Sequence, residues 1–261
     1  MRKTYLKYYA GVSPIALFKF SIDLAFTKEK VRRLSLRNRI KDYASISDSS
    51  ELMQLHQILN EYLIKSQQHI DSYDYGQGYF YQSCNPICIT GLRDTEARLH
   101  ALKLRRIVEG RSVLDIGCNS GFLANELAKV AKFITCLDFN PFLIACTNKV
   151  AEYLGNNNLK TLNTPFEDFD DGQYDVVLSL ANHSTYDGNT RQSIEQYFQR
   201  CQRLLKPGGT LVFESHPPEY EGNGLERVCK LIEDSFDIQY RSVLEYGTFL
   251  DRGRTTIVAN R

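Results

Sequence analysis

The chain predicts an α/β fold: a mostly parallel sheet with helices on both faces, ending in a C-terminal antiparallel hairpin and preceded by a helical extension. Three observations carry this. Apolar strands near 112–116, 133–137, 159–162, 174–180 and 209–214 alternate with helices near 121–131, 141–154, 190–205 and 222–233. Right-handed crossovers between such strands put helices on both faces of one sheet. Next, 237–246 and 255–258 are β-rich runs joined by the loop 247–254 with no helix between them, so they pair antiparallel at the sheet edge. Last, residues 1–70 hold no glycine after Gly11 and no proline after Pro14, and Leu52, Leu55, Ile58, Leu59 and Leu63 recur at helical spacing.

Taken in order, the extension breaks once, at a loop over 45–50, where Asp48 and Glu51 are placed to cap the following helix. Residues 73–81 then interleave Tyr73, Tyr75, Tyr79, Phe80 and Tyr81 with Gly76 and Gly78. That run is too irregular for a simple strand or helix and reads as a mobile aromatic lid or connector. Residues 95–108, with Leu99, Leu102 and Ile107, read as one helix leading into the first strand.

Composition bounds the class. At 261 residues, 43% hydrophobic and 24% charged, this is an ordinary globular chain with one main core and an appendage. The longest apolar stretch, 12–26, is broken by Pro14, Lys19 and Asp23, so neither a membrane span nor a secretory leader is expected. Seven cysteines, an odd number, fall mostly inside strands and helices (Cys118, Cys136, Cys146, Cys201, Cys229). They suit a reducing, cytoplasmic setting. Cys84 and Cys88 lack a second pair or matching histidines, so no zinc site is expected. The net charge of +1 hides an asymmetry: residues 1–41 hold 11 Lys and Arg against 2 acids, seven of those cations between Lys28 and Lys41. This end is suited either to RNA phosphates or to an anionic membrane face, or else it is a solvated helix docked on the acidic remainder.

The most informative stretch is Val113-Leu114-Asp115-Ile116-Gly117-Cys118-Asn119-Ser120-Gly121-Phe122. A buried strand ending in an acid and a glycine-bearing turn, opening a helix N-terminus, offers backbone amides and a carboxylate together. The pattern repeats in Phe133-Ile134-Thr135-Cys136-Leu137-Asp138, whose acid falls 17 positions after Gly121, followed by Asn140 as helix N-cap and Pro141 as first helical residue. An acid there suits ribose hydroxyls. The turn has Asn119 where a dinucleotide fingerprint needs its middle glycine.

On these residues the chain resembles the class I S-adenosylmethionine-dependent methyltransferases, whose first motif looks like the Asp115 to Gly121 stretch. Tyr174-Asp175-Val176-Val177-Leu178-Ser179-Leu180 is similar to the family's fourth strand, and Leu204-Leu205-Lys206-Pro207-Gly208-Gly209-Thr210-Leu211-Val212-Phe213-Glu214 to its helix exit, turn and fifth strand. The resemblance covers about 93–261 and implies a Rossmann-like, seven-stranded sheet over that range. The expected organisation is a basic helical extension over 1–75, the lid or connector over 76–92 and a catalytic domain over 93–261.

The resemblance implies S-adenosyl-L-methionine as cofactor, held by Asp115, Gly117, Cys118, Asn119, Gly121 and Phe122 on the methionine side. It places Asp138, Phe139 and Asn140 at the ribose, and Phe166, Leu180 and Asn182 nearby. His183, directly after strand four, and His216, after strand five, are the catalytic candidates: either could accept a hydroxyl proton during in-line transfer or orient an acceptor. Tyr186 is expected on the acceptor side. Tyr81, Gln82 and Arg93 precede the first strand in an arrangement similar to bacterial methyltransferases of surface polysaccharide and of tRNA wobble uridine; alternatively Arg93 pairs with Asp94 or Glu96 beside it. No metal is expected; His183, Glu214 and His216 are the alternative metal set. The expected function is O-methylation of a small-molecule, sugar or saccharide-phosphate acceptor. The alternatives are a tRNA or RNA methyltransferase using the basic segment and a non-catalytic cofactor-binding module.

Overall fold

In the computed structural model the described residues are 14–69, 72–183, 191–216, 224–245 and 253–261. Two helices come first, α1 (Pro14–Ser45) and α2 (Ser50–Gln68), separated by the expected loop. The cap of α2 is neither Asp48 nor Glu51 but Ser49, whose hydroxyl accepts from the Leu52 N–H. Residues 95–108 form two short helices, α3 (Thr95–Ala101) and α4 (Leu104–Val108), with Lys103 at φ 53° between them. The break has a packing reason. Leu102 and Leu104 are both buried, and residues two apart on one continuous helix face different ways.

The α/β part follows as β1 (Ser112–Ile116), α5 (Phe122–Leu127), β2 (Phe133–Asp138), α6 (Pro141–Leu154), β3 (Leu159–Asn163) and β4 (Tyr174–Leu180). It continues with α7 (Ile194–Leu204), β5 (Leu205–Glu214), α8 (Gly224–Ser235), β6 (Asp237–Val243) and β7 (Thr255–Asn260). The sheet is seven-stranded in the order β3-β2-β1-β4-β5-β7-β6. Contacts among β1 to β5 are parallel, while β7 runs antiparallel between β5 and β6. The chain-order reversal therefore lies beside β1, where β2 and β4 flank it, and opens a crevice at the strands' carboxyl ends. Two expectations are corrected here. α5 stops a turn early, with the Asn158 amide donating to the Ala128 and Ala131 carbonyls. The Lys206-Pro207-Gly208-Gly209 segment belongs to β5 as an irregularity, not to a separate turn: Leu205 pairs with Tyr174 and Thr210 with Val176, with Gly208 at φ 73° between them.

Alternation along the strands sorts two cores. Leu114, Ile116, Val177, Leu211 and Phe213 pack on one face with α7 and α8 through Tyr197, Phe198, Cys201, Val228 and Ile232. Val113, Ile134, Val176, Leu178 and Val212 pack on the other with residues of α3 to α6. A third cluster joins Leu55, Leu59 and Leu63 of α2 to Tyr79, Phe80, Ile87 and Ile89, and to Phe122, Cys146 and Val150. The aromatic run at 73–81 therefore contributes wedges to a core, with Tyr79 and Phe80 almost wholly buried. Together with Thr90 and Gly91 it also anchors α1: Ser35 donates to the Gly76 carbonyl and Asn38 to that of Gly91, while Asp42 accepts from Tyr79 Oη and from the Thr90 N–H and hydroxyl. All seven cysteines are free thiols and all but Cys88 are buried; burial pushes those of Cys84 and Cys146 up to about 12, which keeps them protonated.

Candidate functional site: the carboxyl edge of the sheet

The turn after β1 is built from left-handed residues: Gly117 at φ 64°, Asn119 at φ 56° and Gly121 at φ 68°. Asparagine is one of the few side chains that tolerate this region, and Asn119 Oδ1 stabilises it locally by accepting from the Ser120 N–H at 2.8 Å. Glycine at 117 and 121 has a second cause that spacing does not reveal. A side chain at 121 would collide with Thr147 of α6, and one at 117 would press on Asn182. These glycines bring α6 and the β4 turn close to the loop.

Asp138 ties the two turns together. Its Oδ2 accepts from the Asn119 N–H at 3.0 Å and its Oδ1 from the Asn140 N–H at 2.9 Å. Cys118 adds a backbone bond to Leu137. The carboxylate is thus held at the mouth of both turns. Asp115, also buried, has its carboxyl pushed up to about 7 by desolvation, against the lowering influence of Arg98. An acid so tuned ionises readily when a cationic group is brought beside it.

Several expected cofactor residues hold their side chains elsewhere. Asn140 Oδ1 caps α6 by accepting from the Phe142 N–H at 3.0 Å, and its Nδ2 donates to the Ser66 carbonyl at 3.0 Å and to Ser72. Only its backbone belongs to the turn. Phe122 is core, 5.2 Å from the Phe80 ring, because α5 has to seat the N-terminal helices. Phe166 stacks edgewise on Tyr197 at 5.0 Å. Asn182 donates to the Ile116 carbonyl and accepts from Ser179 Oγ at 3.0 Å and Tyr197 Oη at 2.7 Å. It braces the end of β4 to the end of β1, with Ala181 left-handed at φ 63°. Phe139 and Leu180 stay partly exposed at the edge.

The two histidines meet: the ring centroids of His183 and His216 lie 5.1 Å apart, and His183 lies 5.0 Å from Phe213. Burial pushes His183 down to about 3 and His216 well below the ordinary value. Both are neutral imidazoles near neutrality. Tyr186 lies outside the described residues.

The residues before β1 converge on Glu214, at the end of β5. Arg93 does not pair with its helix neighbours: its Nη2 donates to Glu214 Oε1 at 3.1 Å. Arg98 Nε donates to Oε2 at 2.9 Å and Arg254 Nη1 to Oε1 at 2.9 Å. All four side chains are buried. The guanidiniums hold the Glu214 carboxyl far below the carboxylate range despite its burial, so it is already engaged and is not a free metal ligand. Among the described residues, no group of three His, Cys, Asp or Glu is arranged to hold a metal. Tyr81 Oη accepts from Arg254 at 3.2 Å, and Gln82 bridges to Arg93 through the backbone. Arg254 was invisible to spacing, because it lies 40 positions from its partner.

A strand-order reversal beside β1, two acid-bearing turns and a glycine-built loop are the arrangement that the resemblance to class I S-adenosylmethionine-dependent methyltransferases implies. Comparison with known proteins agrees: a family model described as a methyltransferase domain matches residues 114–213. The chain is 30% identical over 128 residues to a ubiquinone biosynthesis O-methyltransferase of Escherichia fergusonii, covering 45% of this chain and 50% of that protein. It is 29% identical over 126 residues to an 18S rRNA (guanine(1575)-N(7))-methyltransferase of Saccharomyces cerevisiae, covering 46% and 45%. The matches thus span about half the length of these relatives. In fold it is similar to the N-methyltransferase NodS from Bradyrhizobium japonicum WM9 in complex with S-adenosyl-L-homocysteine, with a TM-score of 0.56 at 15% identity, covering 78% of this chain and 98% of that one. Among the described residues, no helix is long and apolar enough to cross a membrane.

Proposed function

We propose that this chain binds S-adenosyl-L-methionine and transfers its methyl group to an oxygen of a small-molecule, sugar or saccharide-phosphate acceptor. The observation that carries the reading is the Asp138 carboxylate, fixed by amides of both turns at the strand-order reversal. The residues present suit the cofactor: Asp138 for the ribose hydroxyls, the 117–121 backbone and Asp115 for the cationic amino-acid end. When bound, the cofactor supplies an electrophilic methyl group on a sulfonium. Oxygen as acceptor atom is favoured by the O-methyltransferases among the relatives, and a reducing cytoplasmic compartment by the free, buried thiols.

In this reading His183 is the proton acceptor. A neutral imidazole depressed to about 3 is too weak a base to deprotonate a hydroxyl in advance. It takes the proton as the carbon–oxygen bond forms and the oxygen becomes acidic. Asn182, held by Ser179 and Tyr197, orients the turn that presents His183, and His216 packs beside it. In this reading Tyr81 and Gln82 serve the acceptor side, and Arg93, held by Glu214, supports them from beneath. RNA modification is the second reading, favoured by the cations of 28–41 and by the rRNA-methylating relative; it requires RNA retention that weakens steeply with salt.

Calorimetry with the cofactor and a methyl-release assay on acceptor extracts test the main reading. Asp138→Ala should weaken cofactor binding by about 1 to 3 kcal/mol, and unchanged affinity would remove the ribose assignment. His183→Ala should lower turnover by about 10² to 10⁴-fold while leaving cofactor affinity nearly intact. Equal rates in the two proteins would rule out proton acceptance by His183.

A further inference from the structure

The inner face of α1 is fastened to the body of the protein through buried Val31, Ser35 and Asp42 and through Asn38. Its opposite face is thereby presented outward in a fixed orientation. At the centre of that face lie Leu36 and Ile40, 59% and 64% exposed and one helical turn apart. Side by side, they make a small apolar patch inside a cationic surface. Arg33, Arg37 and Lys41 flank them on one side and Arg32 on the other, all exposed. Between Lys28 and Ser45 the helix carries two acids: Asp42, turned inward, and Glu29, which pairs with Arg33 at 2.9 Å.

We infer that this outer face of α1 docks the protein on an anionic lipid surface, with Leu36 and Ile40 entering the headgroup boundary and the flanking arginines and lysine meeting lipid phosphates. Two features favour a bilayer over the other polyanion that cations attract. Aliphatic side chains at the middle of a cationic face gain from an apolar phase, which a lipid interface provides and a nucleic-acid backbone does not. The face also belongs to one continuous helix, whose opposite side is bonded to the body through Ser35, Asn38 and Asp42. This goes beyond the methyltransferase reading and does not depend on it.

Vesicle co-sedimentation of the full chain tests the inference, using phosphatidylcholine alone and phosphatidylcholine mixed with phosphatidylglycerol. Binding is expected only to the mixed vesicles. Arg33→Gln with Arg37→Gln should reduce the partition coefficient by at least about tenfold, and Leu36→Gln with Ile40→Gln by a similar factor. These positions are exposed, so the melting transition and affinity for S-adenosyl-L-homocysteine should match the parent, which checks the fold and reads the cofactor site separately. Any of three results would overturn the inference. One is equal binding, or none, to the two vesicle types. Another is retention of tRNA that ignores the Leu36 and Ile40 changes while vesicles are not bound. The third is a concentration-dependent dimer that Ile40→Gln abolishes, which would assign the face to a second copy of this chain.

Discussion

Asp138 and Asn140 stand two positions apart, yet their side chains do different work. Both were readable as turn residues. The Asp138 carboxylate holds the mouths of two turns, whereas the Asn140 amide caps α6 and reaches back to Ser66. Spacing identifies which residues stand at the edge. It does not reveal which neighbour takes each lone pair, since Ser66 lies 74 positions away. Asp115 makes a pH-dependent prediction. Its folded-state carboxyl is raised from 3.8 to about 7 by burial, so its contribution to stability is fully present below about pH 4 and lost as pH rises through about 7. Denaturant titrations of wild type and Asp115→Asn should therefore diverge across that window, the variant gaining relative stability as pH rises. Ionised Asp115 also favours a cationic ligand, so cofactor affinity should rise through about pH 7 in the wild type and stay flat in the variant. Parallel curves for the two proteins would remove Asp115 from the site.

The turns and caps show how local rules and packing divide the chain. Asn140-Pro141 begins α6 where composition says it should, and Ser193 with Gln196 forms a reciprocal capping box at the start of α7. By contrast, the helix expected over 95–108 breaks at Lys103, and the Lys206-to-Gly209 segment is absorbed into β5. In both places a left-handed residue admits a shape that the core or the sheet requires. Gly121 combines the two influences, with a positive φ and Thr147 packed against it. Gly121→Ala should cost about 1 to 3 kcal/mol from backbone strain alone, and more where Thr147 cannot move. Thermal unfolding, with Thr147→Ser added to relieve the contact, checks this: partial rescue is expected, and a neutral Gly121→Ala would show that the loop readily adopts another conformation.

Across the fold, long-range ties join parts that the sequence alone suggested were separable. The third hydrophobic cluster joins α2, the aromatic segment and α6, so the expected extension and connector share a core with the α/β domain. Glu214 gathers Arg93, Arg98 and Arg254 from before β1 and before β7. Glu214→Gln leaves buried guanidiniums without their carboxylate and should destabilise the protein by about 3 to 5 kcal/mol, read by denaturant titration. Since the Glu214 carboxyl is held low in the folded state, the stability it confers is present above its ordinary unfolded value and lost as pH falls. The variant should lose that acid sensitivity, and a curve as steep as the parent's would mean another acid carries it. Strand order of appearance, the two acid-ended strands, the glycine turn and the terminal hairpin all follow from periodicities spanning a few residues, which is why they were legible in the chain. The partners of Arg93, Asn140 and Asn182, the meeting of His183 with His216 and the split helix before β1 follow from contacts between segments far apart in sequence. Those contacts exist only once the sheet closes and burial obliges each polar group to find a partner.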